Sequence, residues 1–374
     1  MKCNKWTLAL ATAGVVSFGS VAQAEEAKAS VMTALSQTTI SGYVDTSAIW
    51  NFDSGPNMVP GRAFDGTGKQ DGVNLNVVKL SIARAADEKQ YAAGYQVDLL
   101  FGPDANGYTS TSADSNFAVK NANVTLRAPI GNGVDLKIGV WDTIIGYEVY
   151  EAGSNPNYSR SYGYTLEPTQ HTGVLATYRL NDMVAVSGGV AETGGAMINV
   201  RSPKTDVKSY MASLTITAPS SAGVLAGSTL YAGLIDSGNN RADDVLNYYI
   251  GAAIKTPVEG LAVGVAGDLR KNAIRNGSEE YAFGVYASFK VDDKLTVNAR
   301  GEYAKSHDDG AAGIGGSGLR KVWAATVTAD YSLWANVTSR AELRYDKSSN
   351  SGGGFGDGTD DNAISAALNI IYKF

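Results

Sequence analysis

From about residue 38 to residue 374 the chain alternates apolar and polar side chains with a period of two, in one segment after another. Leu261, Val263, Val265 and Leu269 alternate with Gly264, Asp268 and Arg270. Leu295, Val297, Ala299 and Tyr303 alternate with Thr296, Asn298, Arg300 and Glu302, and Val337, Ala341, Leu343 and Tyr345 with Thr338, Arg340, Glu342 and Arg344. Successive side chains of a strand point to opposite faces, so each segment reads as a strand with one fatty and one charged face. A soluble sandwich and a membrane barrel share that pattern, and the spacing of the breaks separates them. Strands are predicted near 38–50, 73–84, 90–101, 117–128, 134–141, 172–180, 183–191, 207–218, 227–236, 244–256, 260–270, 279–290, 294–304, 320–332, 336–346 and 361–374. The connections between these sixteen alternate between short, such as Asn181–Asp182 and Val291–Asp293, and long and Gly/Ser/Asn/Asp-rich, such as Asn51–Gly72, Asp142–His171 and Lys347–Asp360. An even strand number, short turns at one end and long loops at the other are what an outer-membrane barrel requires. The expected fold is all-β: a transmembrane antiparallel β-barrel of about 16 strands with short periplasmic turns and long external loops.

The N-terminus predicts the compartment. Lys2 and Lys5 form a basic start, Trp6 to Phe18 is mostly apolar, and Ala22-Gln23-Ala24 is an A-x-A cleavage site, together the pattern of a secretory signal peptide over 1–24. Residues 25–37 read as a short periplasmic lead-in and 38–374 as the barrel. Beyond the leader no apolar run approaches the roughly 20 residues of a spanning helix, so integral membrane contact requires a closed barrel, in which every backbone polar group is paired.

Composition narrows the chemistry. Only 18% of residues are charged, with 31 basic against 37 acidic, which suits neither an ordinary soluble surface nor a nucleic-acid partner. A single cysteine, Cys3, and two histidines, His171 and His307, leave little for a metal site, a disulfide or nucleophilic catalysis. No cofactor, metal or catalytic residue is expected; Asp357, Asp360 and Asp361 in the last loop offer hard oxygens without calcium-loop spacing.

In the last segment Ile364, Ala366, Leu368, Ile370, Tyr372 and Phe374 share one face, opposite Ser365, Asn369 and Lys373. Phe374, Tyr372 and Ile370 resemble the terminal signal by which the barrel-assembly machinery takes up its clients. Tyr281, Phe283, Phe289, Trp323, Tyr331, Tyr345 and Tyr372 fall near strand ends with outward parity, where aromatic rings settle between lipid tails and headgroups.

The run Asn121–Tyr178 carries GNGVDLKIG at Gly131–Gly139, Gly-Tyr-Glu at Gly146–Glu148, NPNYSRS at Asn155–Ser161 and a strand starting His-Thr-Gly at His171–Gly173. It resembles the β-barrel porin family described as OmpL-like, with Val140-Trp141 where the family often has a basic residue. The resemblance implies an outer-membrane porin and identifies no catalytic residues.

Sixteen strands enclose enough space for an aqueous channel whose inward side chains and infolded loops set selectivity. The longest connection, Asp142–His171, is expected by analogy with general porins to fold inward and narrow the pore. It brings Asp142, Glu148, Glu151 and Glu167, with Arg160 its one arginine. Strand parity puts Arg127, Lys137, Arg179, Arg270, Arg300, Arg320, Arg340 and Arg344 on the lumen side, since on the lipid face Arg costs roughly 2–4 kcal/mol at the midplane. Acidic loop and arginine wall would face each other across the constriction, unless the charges pair locally, as Arg340 and Arg344 with Glu342 or Glu302. Asn155–Asn157 reads first as turn chemistry. The expected function is passive diffusion of small hydrophilic solutes, with a sugar- or anion-selective channel and a structural barrel as alternatives. A membrane-embedded hydrolase would have to use His171 or His307. The expected partners are outer-membrane lipids, the assembly machinery, the solutes and further copies of the chain in a homotrimer. Ala324–Ala325 are candidate small outward residues at such an interface.

Overall fold

A computed structural model describes residues 38–52, 59–65, 69, 71–87, 91–108, 116–192, 194, 198, 208–237, 245–271, 278–307, 313–314, 317–349, 354–356 and 358–374. The leader 1–24, the lead-in 25–37, Cys3 and Asp357 lie outside the described residues.

Sixteen strands form one sheet: β1 Thr39–Asn51, β2 Gly72–Arg84, β3 Ala93–Phe101, β4 Phe117–Ala128, β5 Val134–Asp142, β6 Gln170–Arg179, β7 Val184–Ala191 and β8 Ser209–Thr217 make its first half. The second half is β9 Thr229–Asp236, β10 Leu246–Lys255, β11 Leu261–Lys271, β12 Glu279–Lys290, β13 Leu295–Ser306, β14 Lys321–Trp334, β15 Val337–Ser348 and β16 Asn362–Lys373. Each pairs antiparallel with its sequence neighbours, and β1 pairs with β16, closing the barrel. At the seam Gly42 and Phe374 exchange backbone hydrogen bonds of 2.9 and 3.0 Å. Closure leaves no unpaired edge, the condition for sheet in hydrocarbon. No helix among the described residues is long and apolar enough to cross a membrane.

The two faces separate as the alternation predicts. Val285, Val327, Leu343, Leu368 and Ile370 are exposed on the outside, and Phe283, Phe289, Trp323, Tyr331, Tyr345 and Tyr372 are exposed with them. Inward residues of β13 to β16, Asn298, Arg300, Glu302, Thr328, Arg344 and Asn369, are buried. Of the pair Ala324–Ala325 only Ala325 faces out; Ala324 packs inside with Leu319 and Ala304.

Two irregularities alter the inward set. The pairing of β1 with β2 shifts register beside Asn76, and that of β3 with β4 beside Lys120. An extra residue in one strand of a pair resets its parity. Asn76 and Val77 therefore both point inward, as do Lys120 and Asn121, and all four are buried.

Candidate functional site: an infolded loop in the lumen

The connection between β5 and β6, residues 143–169, runs into the barrel and lies against the inner wall. Its first limb is apolar. Ile144, Ile145 and Tyr147 pack with Trp141, Leu175, Met211, Ile235, Tyr249 and Tyr286, and the Tyr147 and Tyr286 rings stack at 4.0 Å. Its middle is polar and docks on the wall of β13 to β15. Arg300 donates to the Glu148 carboxylate at 2.7 Å, to Glu302 at 2.7 Å and to the Ser159 carbonyl at 2.7 Å. Arg340 donates to the carbonyls of Ala152 and Asn155 at 2.6 and 3.0 Å, and Arg344 to that of Arg160 at 2.6 Å. Glu342 accepts the amides of Tyr158 and Ser159 at 2.6 and 3.0 Å, while Glu302 accepts that of Tyr162 at 2.7 Å. Backbone groups without a secondary-structure partner must be met elsewhere when buried, and the wall side chains meet these.

Asn155 and Asn157 are buried. The Asn155 amide bridges Val149 and Glu151 within the loop, and Asn157 donates to Thr328 Oγ1 at 2.7 Å. The Asn-Pro-Asn segment thus shapes the loop and docks it. The loop returns through a short helix, α1 Tyr162–Leu166, capped by Ser161, whose hydroxyl accepts the Tyr164 amide at 3.1 Å.

The far side of the loop meets β2 and β4. Lys79 donates to Glu151 at 2.6 Å and pairs with Asp98 at 3.2 Å, while Lys120 pairs with Asp142 and with Glu151 at 3.2 Å. Burial alone would raise the Glu151 carboxyl, but the ammonium groups of Lys120 and Lys79 outweigh it and hold the group well below the usual carboxylate range. Glu167 is the opposite case. It lies in hydrogen-bond contact with the Asp268 carboxyl of β11, and burial together with that neighbour raises it well above the usual range. Two loop glycines make room for this pair: a Cβ on Gly146 would lie 2.2 Å from Glu167 Oε2, and one on Gly163 2.6 Å from Asp268 Oδ2.

These contacts correct the picture of an acidic loop facing an arginine wall across open water. Glu148 touches Arg300 directly, Asp142 and Glu151 are held by lysines, and Glu167 sits against another acid. Among the inward arginines, Arg127 pairs with Asp135 at 2.9 Å, Arg270 with Glu280 at 2.7 Å and Arg340 with Asp330 at 2.8 Å. Arg344 meets Asp346 at 3.0 Å and Glu302 at 3.4 Å, the second being one of the local pairs expected. Arg179 and Lys137 are half-buried on the inward parity of β6 and β5. Arg320 is misplaced by the sequence reading: it precedes β14 at the external end and is exposed. His171 is buried, with Nε2 3.2 Å from Thr143 Oγ1 and its ring beside Trp141, closed off from a substrate. His307 is exposed beside Tyr281. Among the described residues no cluster of His, Cys, Asp or Glu could hold a metal.

Sequence reasoning missed Lys79, Lys120 and Asp268 as partners of the loop, and Asp98 as the strand carboxylate that shares Lys79. Lys79 has inward parity relative to Leu80 and Ile82, while the register shift beside Asn76 breaks the parity with Val73 and Leu75. Lys120 does not have inward parity in its predicted strand, because the register shift beside it turns it inward. Arg62, which pairs with Asp346, and Lys69, 2.6 Å from Asp104, come from the first external loop, where no periodicity announces an inward residue.

The sequence matches the family model described as "Putative beta-barrel porin-2, OmpL-like" over residues 37–374. No curated protein matches the chain. Among solved structures it is similar to the outer membrane channel DcaP of Acinetobacter baumannii, at 13% identity and a TM-score of 0.61, covering 90% of this chain and 97% of that one. It is also similar to an anion-selective porin from Comamonas acidovorans, at 12% identity and a TM-score of 0.58, covering 90% and 99%. The trimer form of in-vitro folded OmpT from Vibrio cholerae matches at 16% identity and a TM-score of 0.56, covering 90% and 99%. Identities this low speak for the shared fold.

Proposed function

The chain belongs to the beta-barrel porin-2, OmpL-like family, and from that premise we propose that it conducts small hydrophilic solutes passively through a lumen narrowed by residues 143–169. The observation that carries this reading is the loop itself, pinned to the wall from β2 and β4 on one side to β11, β13 and β15 on the other by buried polar contacts. On the periplasmic half of β5 to β8 the inward residues Lys137, Thr177, Ser187, Ser213 and Thr215 stay half-exposed and polar, the lining a water-filled passage needs. The residues proposed to define the constriction are Asp142, Glu148, Glu151 and Glu167 with Arg127, Lys137, Arg179, Arg270, Arg300, Arg340 and Arg344. Ion-paired members set its width and wetness, not a free field.

The family supports an outer-membrane location. We further propose export through a signal peptide cleaved after Ala24, uptake by the assembly machinery through the outward Ile370, Tyr372 and Phe374, and assembly as a homotrimer, the state of one structural neighbour. Catalysis plays no part in this reading. A substrate-selective channel is the second reading, favoured by the half-buried inward ring of Tyr231, opposite Thr215 in register and at the edge of the aromatic cluster.

Swelling of liposomes carrying the folded protein, in a series of neutral sugars and amino acids of increasing size, tests the proposal. Rates that fall smoothly with size support general diffusion. Entry of one chemical class alone favours the selective channel, and no entry with folded barrel present removes both.

A further inference from the structure

We propose that Lys137 determines the ion selectivity of this pore, an inference that rests on the porin reading above. Lys137 points inward from the periplasmic half of β5, opposite Thr125 of β4 and Leu175 of β6 in register, and it is half-exposed. The strand arginines named above with partners, and Lys79 and Lys120, all meet carboxylates. No hydrogen bond or ion pair joins Lys137 to another described residue.

The charges around it give that freedom a consequence. Lys79 and Lys120 are shared among three carboxylates, Asp98, Asp142 and Glu151, so this cluster keeps one negative charge. Asp98 is fully buried, but the side chains of Asp142 and Glu151 are 36% and 26% exposed, and the surplus faces the lumen. Asp135, on the same strand as Lys137, is already neutralised by Arg127. Asp45 and Glu342 lie buried beneath the loop and are met by amide or hydroxyl donors. Lys137, half-buried on the lumen side, is thus a positive charge placed to offset the surplus. Thr125, opposite it on β4, supplies a hydroxyl to a passing anion. Charge in a narrow passage walled by low dielectric acts far more strongly on a permeating ion than the same charge in bulk water.

The test is the reversal potential of the folded mature protein in a planar bilayer under a potassium chloride gradient. Compared are wild type, Lys137→Gln, Lys137→Glu and, as a control on the periplasmic turn, Lys290→Gln. The chloride-to-potassium permeability ratio should fall by roughly threefold to fivefold in Lys137→Gln, fall further in Lys137→Glu and stay at the wild-type value in Lys290→Gln. Glu151→Gln should raise it. Lys137→Cys adds a reading within one folded protein, because a cationic thiosulfonate should restore the wild-type ratio and an anionic one should lower it. A ratio unchanged in Lys137→Gln and Lys137→Glu, with open steps intact, overturns the proposal. Wild type without steps would instead remove the porin reading on which it stands.

Discussion

Glu148 and Arg300 meet with their side chains 1% and 0% exposed; Arg300 also holds Glu302, but loss of Arg300 leaves the Glu148 carboxylate out of water with the Ser161 amide in place of a cation. Breaking such a pair by removing one partner typically costs about 3–5 kcal/mol. Here that cost falls on loop docking before it falls on the barrel, whose strands are joined by backbone ladders independent of the pair. Arg300→Ala is expected to release the loop while the barrel persists. Limited proteolysis of the folded variant should cut within residues 148–161 while heat-modifiable migration on gels is kept; a loop as resistant as wild type would show that the pair does not anchor it. At this scale the sequence was half legible. Parity alone placed Arg300, Arg340 and Arg344 inside, because on the other face they would lie in lipid. Parity also offered the local pair Arg344–Glu302, but the loop partners were not legible, since Glu148 is far from Arg300 along the chain and meets it only once the loop has folded inward. Lys120 was hidden for a different reason, the extra residue in β4 that reverses its parity.

The two limbs of the loop are fastened by carboxyls that titrate in opposite senses. Glu151 is held below its ordinary range, mainly by Lys120 and Lys79 working against burial. Its contribution to docking is therefore present above the ordinary carboxylate range and is lost only as the pH falls well below it. Glu167 is raised by burial and by Asp268, with Glu148 also nearby, while the phenol of Tyr249 faces Asp268. The contribution of Glu167 is complete under acid conditions and is lost as the pH rises through its raised value. Amide hydrogen exchange over residues 163–169, corrected for the intrinsic pH dependence, should speed up as the pH rises above the usual carboxylate range, and Glu167→Gln should abolish that increase. An increase that survives in Glu167→Gln would place the titrating group elsewhere. Among the elements, the strands were legible to within about three residues at each end, because a fixed period, interrupted by glycine and asparagine, marks them. Helix α1 and the apolar limb Ile144–Tyr147 were not, because their form is set by the wall they pack on.

For the whole molecule, closure of β1 on β16 and a lipid-facing belt were foreseeable from an even count of alternating strands with no spanning helix. How far the loop fills the lumen was not, since that depends on contacts between the loop and strands all around the wall. The central claim is that this barrel, although its loop is pinned on two sides, still holds a continuous water path. The most direct test is single-channel conductance of the folded mature protein in a planar bilayer. Discrete open steps that scale with salt concentration are predicted, smaller than those of a variant in which residues 146–166 are replaced by a short glycine-serine linker. A folded wild-type barrel that gives no steps, beside a loop-replaced variant that does, would contradict the claim and make the loop a plug.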